Sequence, residues 1–318
     1  MDIVINIDSD FVTYAHVMLY SLEECNAETS FSIHIINVGL NDSHKKDFIV
    51  KHPKMDFHFY DVDDNVLKSL PMWRRDYVSP ATYLRIFMPE LLPSSVDKVL
   101  FLDCDTLILD SVSDLWNIDL ESDNLMIAAV EERPPYDTKK PEILNYSVES
   151  SYYNAGVALI NLKALREANF SQKASLFIAQ NRDVILHHDQ DIMNALTAGS
   201  TKFISCRWNL LDFFTFKKPE IQSRRMDDLK EALRNPAIVH FSNKRKPWHH
   251  NCGNPFRDLY LSKATQYGIS VASTWELKTK YRLRKILYAI LLKKSKYLRP
   301  QLVTYLSNLS YKTRKISA

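Results

Sequence analysis

Along its first 260 residues the chain switches repeatedly between short, nearly unbroken apolar runs and stretches in which apolar residues recur every three or four positions. Bounded apolar runs of four to eight residues read as buried strands, and the helical recurrence reads as helices lying on them. Met1 to Asp8 predicts a first core strand. Val12 to Cys25 predicts a helix whose buried face carries Tyr14, Val17, Met18, Ser21, Leu22 and Cys25. Phe31–Val38 and Met55–Val62 predict two more strands with helix material between. Ser79-Pro80, an N-cap followed by a first-turn proline, opens a predicted helix from Ala81 to about Leu91. Val99–Leu102 predicts the next buried strand, followed by Met126–Val130, Val157–Asn161 and Ala237–His240, and a helix carrying Ile192, Met193 and Leu196 starts near His187. Strands alternating with helices imply an α/β fold on a mostly parallel sheet of Rossmann type, flanked by helices.

Composition narrows the function classes. The chain's 318 residues fit one large domain with an appendage, or two small domains. Only five glycines occur, so neither G-x-G-x-x-G nor G-x-x-x-x-G-K-[ST] can be written anywhere, and the phosphates of any bound nucleotide must be held by a metal and side chains. Cys25, Cys104, Cys206 and Cys252 are far apart and lack C-x-x-C spacing. They indicate neither a disulfide framework nor a zinc site, and a reducing cytoplasm is the expected setting. No basic region precedes the N-terminal apolar run, which therefore reads as a strand and no signal peptide. The longest apolar run, Ile286–Leu292, falls well short of the 18 or so residues needed to span a bilayer.

The net charge of +3 conceals a division. From Lys278 to the end there are 12 Lys and Arg and no Asp or Glu, which leaves 29 of the 41 cations against all 38 acids in the preceding residues. An acidic body is thus followed by a basic tail, and we place the boundary between residues 1–262 and 263–318. Leu283, Ile286, Leu287, Ile290 and Leu291 form a stripe at helical spacing among Arg282, Arg284, Lys285, Lys293 and Lys294. That is the pattern of a basic amphipathic helix in an anionic membrane interface; the alternative is a helix packed on the body with its charges solvated.

Candidate chemistry gathers at a few points. Side chains two apart on a strand point the same way, so Asp103 and Asp105, at the end of the Val99 strand, can face one point in space, as a hard divalent cation requires. The alternative is an acidic turn. Arg85 lies on the helix that leads into that strand and reads equally as a salt-bridged helix residue. Tyr152-Tyr153-Asn154-Ala155-Gly156 precedes the Val157 strand, and its small residues at 155 and 156 would let a ligand approach the backbone closely; the alternative is simply a turn. His187-His188-Asp189-Gln190-Asp191 is more polar than capping requires. His240 alone reads as a structural histidine at a strand end, and Phe241 to His249 follows it as a polar loop.

Together these residues resemble the retaining glycosyltransferases of family 8, over roughly residues 1 to 260. The resemblance rests on the strand ending at Asp8, Ala81-Thr82-Tyr83-Leu84-Arg85 followed by Leu102-Asp103-Cys104-Asp105, Asn154-Ala155-Gly156 with Asp189-Gln190, and His240 with Lys246-Pro247-Trp248. It implies a GT-A fold binding a UDP-hexose and Mn²⁺, with Mg²⁺ as the alternative ion. By the same resemblance Asp103, Asp105 and His240 are the metal ligands, and Asn6, Asp8 and Phe11 contact the uridine. Arg85, Asp103, Cys104, Asp105, Asn154, Ala155, Asp189 and Gln190 surround the sugar and diphosphate, Asn243 and Lys246 reach the phosphates, and Gln190, Asp189 and Lys246 are the catalytic candidates. The partners implied are a UDP-galactose or UDP-glucose donor, a glycan or glycolipid acceptor and, through the tail, the inner face of the cytoplasmic membrane; nucleic acid is not expected.

The chain departs from the family pattern at Asn243, where relatives often have glycine, and at Asp10 and Phe11, where they commonly have Asn and Tyr. Two other readings compete. Leu100 to Leu107 also resembles the first motif of haloacid-dehalogenase-type phosphatases, with Asp103 as nucleophile, Asp105 as acid and Asp227-Asp228 as the later acidic pair. The other is a catalytically silent sugar-nucleotide-binding module.

Overall fold

The computed structural model describes residues 1–63, 70, 80–132, 144, 151–216 and 226–271. The Ser79 cap, most of the stretch from Glu131 to Ser151, and the basic amphipathic tail lie outside the described residues. Among those described, no helix is long and apolar enough to cross a membrane. The chain forms two compact units, one of Met1–Cys104 with Ser111–Ile204 and one of Asp105–Asp110 with the residues from Ser205 onward.

The first unit is built on a seven-stranded sheet of β1 (Asp2–Asp8), β2 (Phe31–Val38), β3 (Met55–Asp61), β4 (Lys98–Leu102), β6 (Ile127–Glu131), β7 (Tyr153–Asn161) and β8 (Thr201–Ile204), in the order β3-β2-β1-β4-β7-β6-β8. β1, β2, β3 and β4 run parallel, as do β6 and β8, while β7 runs against both of its neighbours. The expected mostly parallel α/β architecture is therefore present. Ile3, Val4 and Ile5 and the whole of Val99 to Leu102 are fully buried, as strands covered on both faces require. Helix α1 (Val12–Cys25) and the strand β2 end where the apolar pattern places them.

Two expectations change. Residues 80–87 form a 3-10 helix, followed by a short α-helix at Met88–Leu91, in place of one α-helix from Ala81. Tyr83, Leu84, Arg85, Ile86 and Met88 are all buried, so packing on several sides decides this geometry where a single apolar stripe would favour an α-helix. Asn154-Ala155-Gly156 belongs to β7 and forms no turn. In the β6–β7 ladder Ala129 pairs with Ala158 but Glu131 pairs with Tyr153, so two steps along β6 match five along β7. The slip throws residues 154–156 out of the ladder with β6, a device common beside active sites. Asn194, on the helix His188–Leu196, takes over part of the pairing: it accepts from the Tyr153 N–H (2.8 Å) and donates to the Tyr153 carbonyl (3.0 Å).

The second unit holds a three-stranded sheet of β5 (Thr106–Ile108), β9 (Leu210–Leu211) and β10 (Ile238–His240), in which β10 pairs antiparallel with β5 and parallel with β9. The helix Arg257–Gln266 runs across residue 262.

One cluster in the first unit makes stability sensitive to acid. His16 and His52 are buried; His16 Nε2 donates to Asp47 (3.0 Å) and its Nδ1 accepts from His52 Nε2 (3.0 Å). Burial first, and the Lys51 and neighbouring imidazole charges second, lower the His16 pKa to about 4 and the His52 pKa to about 3. The unfolded chain takes up protons on both rings below about pH 6.5 while the folded chain resists. The stabilisation is thus complete above pH 6.5 and declines as pH falls towards 4, by roughly 3 kcal/mol for each ring. Urea unfolding at pH 7.5, 6 and 5 measures this slope, and His52→Phe is expected to flatten it; equal slopes in both proteins would contradict the assignment.

Candidate active site

In the first unit the sheet's direction gathers the chemistry at one rim. β1 and β4 are parallel, so Asp8 and Asp103 follow their carboxyl ends; β7 is antiparallel, so its start lies at the same rim, where ligands bind in open α/β sheets. The Asp103 N–H donates to the Gly156 carbonyl (2.8 Å), which fixes the two segments together. Arg85 organises the charges. Its Nη2 donates to Asp103 (2.8 Å), its Nε meets Asp189 (2.7 Å), its Nη1 donates to the Ala155 carbonyl, and the guanidinium lies 4.1 Å from the Phe101 ring centroid. Asp189 also accepts from the Thr82 hydroxyl. Burial pushes the Asp189 carboxyl above its ordinary range even though Arg85 pulls it down. His188, the residue before it, takes a left-handed backbone (φ 50°), a strained step where the chain turns to aim Asp189 and Gln190.

Gln190 and Asn154 are joined. The Gln190 carbonyl accepts from Asn154 Nδ2 and the Ala155 N–H, both at 3.1 Å, and its amide donates to Glu132 (3.0 Å) and the Tyr152 hydroxyl (3.2 Å). Asn6, on β1, has both amide atoms buried with no hydrogen-bond partner among the described residues. An unpaired buried amide is costly, and a polar ligand removes the cost. Asp8 accepts from the Asp10 N–H (3.1 Å), and Phe11 meets Tyr14 edge to face.

The second unit holds Asp105, His240, Asn243 and Lys246. Asp105 is 7% and His240 3% exposed, and His240 Nε2 lies 3.2 Å from Asp105 Oδ1. His240 Nδ1 meets the Asn209 side-chain oxygen at 2.9 Å. That oxygen only accepts, so Nδ1 carries a proton and Nε2 is the nitrogen that lies against the Asp105 carboxylate. A histidine that donates through its other nitrogen is the usual metal-ligating form. The oxygen and nitrogen donors therefore fit a borderline-hard divalent ion.

Lys246 Nζ donates to Asp105 Oδ2 and to the Phe241 carbonyl (2.9 Å). Burial alone raises the Asp105 carboxyl, but the Lys246 ammonium and His240 override it and hold the acid well below the usual carboxylate range. Trp248 is buried against Tyr260, which anchors the loop carrying Lys246. The Asn243 N–H donates to Asp212 (2.9 Å), and Asp212 also accepts from Asn254 (2.6 Å). The acidic pair of the phosphatase reading has structural duties instead. Asp228 accepts from Ser205 and the Cys206 N–H, and Asp227 pairs with Lys230 on the surface.

Sequence reasoning missed Glu132, Asn194, Asn209 and Asp212, and singled out Tyr152 and Asp191 only as members of longer clusters. Each of the four is a single polar residue without a companion at a telling spacing; Asp212, directly after the apolar pair Leu210-Leu211, carried the faint signal of an acid at a strand end.

The comparisons with known proteins agree with this geometry. Residues 2–252 match the model of glycosyl transferase family 8. The chain is 28% identical over 268 residues to general stress protein A of Bacillus subtilis (strain 168), covering 82% of this chain and 92% of that protein. It is 25% identical over 261 residues to the lipopolysaccharide 1,2-glucosyltransferase of Escherichia coli (strain K12), covering 78% of this chain and 73% of the relative. Among solved structures, galactosyltransferase LgtC in complex with donor and acceptor sugar analogs superposes with a TM-score of 0.75 at 26% identity, covering 89% of this chain and all of LgtC. With an Asp-x-Asp acidic pair at a strand end, the GT-A architecture and a family match over most of its length, the chain belongs to glycosyltransferase family 8.

Proposed function

We propose that the chain is a metal-dependent retaining hexosyltransferase that moves galactose or glucose from a UDP-sugar to a hydroxyl of a glycan or lipid-linked acceptor in cell-surface polysaccharide synthesis. The observation that carries this reading is the buried pair of Asp105 and His240, whose Oδ1 and Nε2 lie 3.2 Å apart. Asp103, Asp105 and His240 are the proposed ligands, with Mn²⁺ favoured over Mg²⁺ because an imidazole is among them. When bound, the ion neutralises charge on the departing diphosphate.

The chain's own residues do the rest. The unsatisfied amide of Asn6, with Asp8 and Phe11, takes the uridine. Arg85, Cys104, Asn154, Ala155, Asp189 and Gln190 surround the sugar, and Asn243 serves through its side chain, since its N–H is held by Asp212. Lys246 offers an ammonium to the leaving group, stabilising the transition state more than the ground state. Configuration is retained by same-face attack of the acceptor hydroxyl, with the leaving phosphate oxygen taking its proton. Asp189 supports this choice, because both of its oxygens are occupied, by Thr82 and Arg85, which leaves it poorly placed as a nucleophile. The basic tail holds the protein on the inner face of the cytoplasmic membrane.

Incubating the protein with UDP-galactose, UDP-glucose and other UDP-sugars in Mn²⁺ without acceptor is expected to release UDP slowly from one of the two hexose donors. Sedimenting the same mixture with vesicles rich in anionic lipid is expected to carry the activity into the pellet. No UDP release from any donor would sink the transferase reading, and activity left in the supernatant would sink the membrane reading.

A further inference from the structure

On the proposed transferase reading Gln190 borders the sugar, and its surroundings determine what it can do there. A main-chain N–H only donates and a carboxylate only accepts. With Ala155 N–H on one side and the Glu132 carboxylate on the other, the carboxamide has a single orientation. In that orientation both carbonyl lone pairs are filled, by Asn154 and Ala155, and both N–H groups are spent, on Glu132 and Tyr152.

The network ends on rigid supports. The Tyr152 hydroxyl donates to Asp191 (2.6 Å), whose other oxygen takes the Leu186 and His187 N–H groups, both at 2.8 Å. Among the described residues Glu132 is the only carboxylate hydrogen-bonded to the Gln190 side chain, and a single oxygen of it receives both the Gln190 and the Asn154 amides. Its position at the end of β6 follows from the slipped register that brings Glu131 opposite Tyr153.

We propose that Glu132 is a positioning residue of the transfer reaction: it clamps the Gln190 carboxamide so that its oxygen stays turned into the protein and cannot attack the sugar. The inference rests on the transferase reading and deepens it. Without the Glu132 carboxylate the amide keeps only the Ala155 N–H, Asn154 and Tyr152, and the Gln190 and Asn154 N–H groups lose their shared charged acceptor.

Kinetics and a charge swap test the clamp. Glu132→Ala is expected to lower kcat roughly tenfold to a hundredfold, the usual effect of losing a supporting partner, while donor KM stays within about twofold. Gln190→Glu sets two carboxylates at hydrogen-bond range, where they share a proton, so kcat should gain a new limb that falls as pH rises above the ordinary carboxylate range. Adding Glu132→Gln to that variant restores a donor opposite the new acid. The limb should then disappear and kcat should recover about tenfold over the single variant. A merely structural residue would shift the thermal midpoint without moving this limb.

The pH dependence of unfolding in the same variants reads the Glu132–Gln190 contact without turnover. If the unaltered chain releases no UDP, the transferase reading fails, and with it the catalytic role of the clamp, while this readout still reports whether the contact exists. An unchanged kcat in Glu132→Ala, a limb that persists in the double variant, or a glycosyl adduct trapped on Gln190 by mass spectrometry would each overturn the proposal.

Discussion

Replacing Lys246 by alanine is expected to lower kcat on the order of 10²-fold or more with the fold retained, the effect of losing one preorganised donor to a developing charge. In the resting protein the ammonium is bound to Asp105 and to the Phe241 carbonyl, in a loop pinned by the buried Trp248. It is therefore held in place before any substrate arrives and costs no reorganisation during the reaction. Donor KM should rise less than kcat falls, because the ground-state diphosphate is already hydrated while the leaving group gains charge. Lys246→Arg is expected to recover little, since a planar fork does not replace a compact point charge. Steady-state kinetics with saturating Mn²⁺, together with circular dichroism, tests this; an unchanged kcat would remove Lys246 from the leaving-group role.

The largest stability effect is expected at Arg85. The guanidinium is 4% exposed and pairs with Asp189, itself 3% exposed, and with the more open Asp103. Arg85→Leu leaves Asp189 with only the Thr82 hydroxyl, and breaking a buried pair from one side costs about 3–5 kcal/mol. Burial already raises the Asp189 carboxyl, so in the variant this acid should become protonated at a higher pH than in the parent chain. Arg85→Lys retains a charge but cannot reach Asp103, Asp189 and the Ala155 carbonyl together, and should fall between the two. Urea unfolding at pH 7 measures the difference; a loss below 1 kcal/mol would show that the surrounding charges rearrange at little cost.

Much of this molecule was legible in its sequence because burial writes a direct pattern. β1, α1 and β2 are one-sided or fully apolar segments with polar ends, and their limits agree with the periodicity to within a residue. Asp103, Asp105 and His240 were legible only as members of a family arrangement, since an acid pair and a lone imidazole mean little by themselves. What stayed hidden depends on long-range pairing. Residues 154–156 are small and polar and could equally form a turn, and only the extension of β7 beyond its pairing with β4 shows them to be strand. The 3-10 segment around Arg85 was misread because Tyr83, Leu84 and Ile86 pack in directions that a periodicity count does not capture. Glu132 and Asp212 act through single contacts far away in the chain, which leave no local trace.

The mismatch in step between β6 and β7 also restricts how this protein can vary in length. Side chains on a strand alternate between faces, so a chain one residue shorter between Tyr153 and Ala158 would present Asn154 to the opposite side of the sheet and withdraw it from Glu132 and Gln190. Deletions there should be far less tolerated than substitutions. When homologous chains are lined up, a gap placed inside this stretch would mark either a misalignment or a protein that has given up the same chemistry.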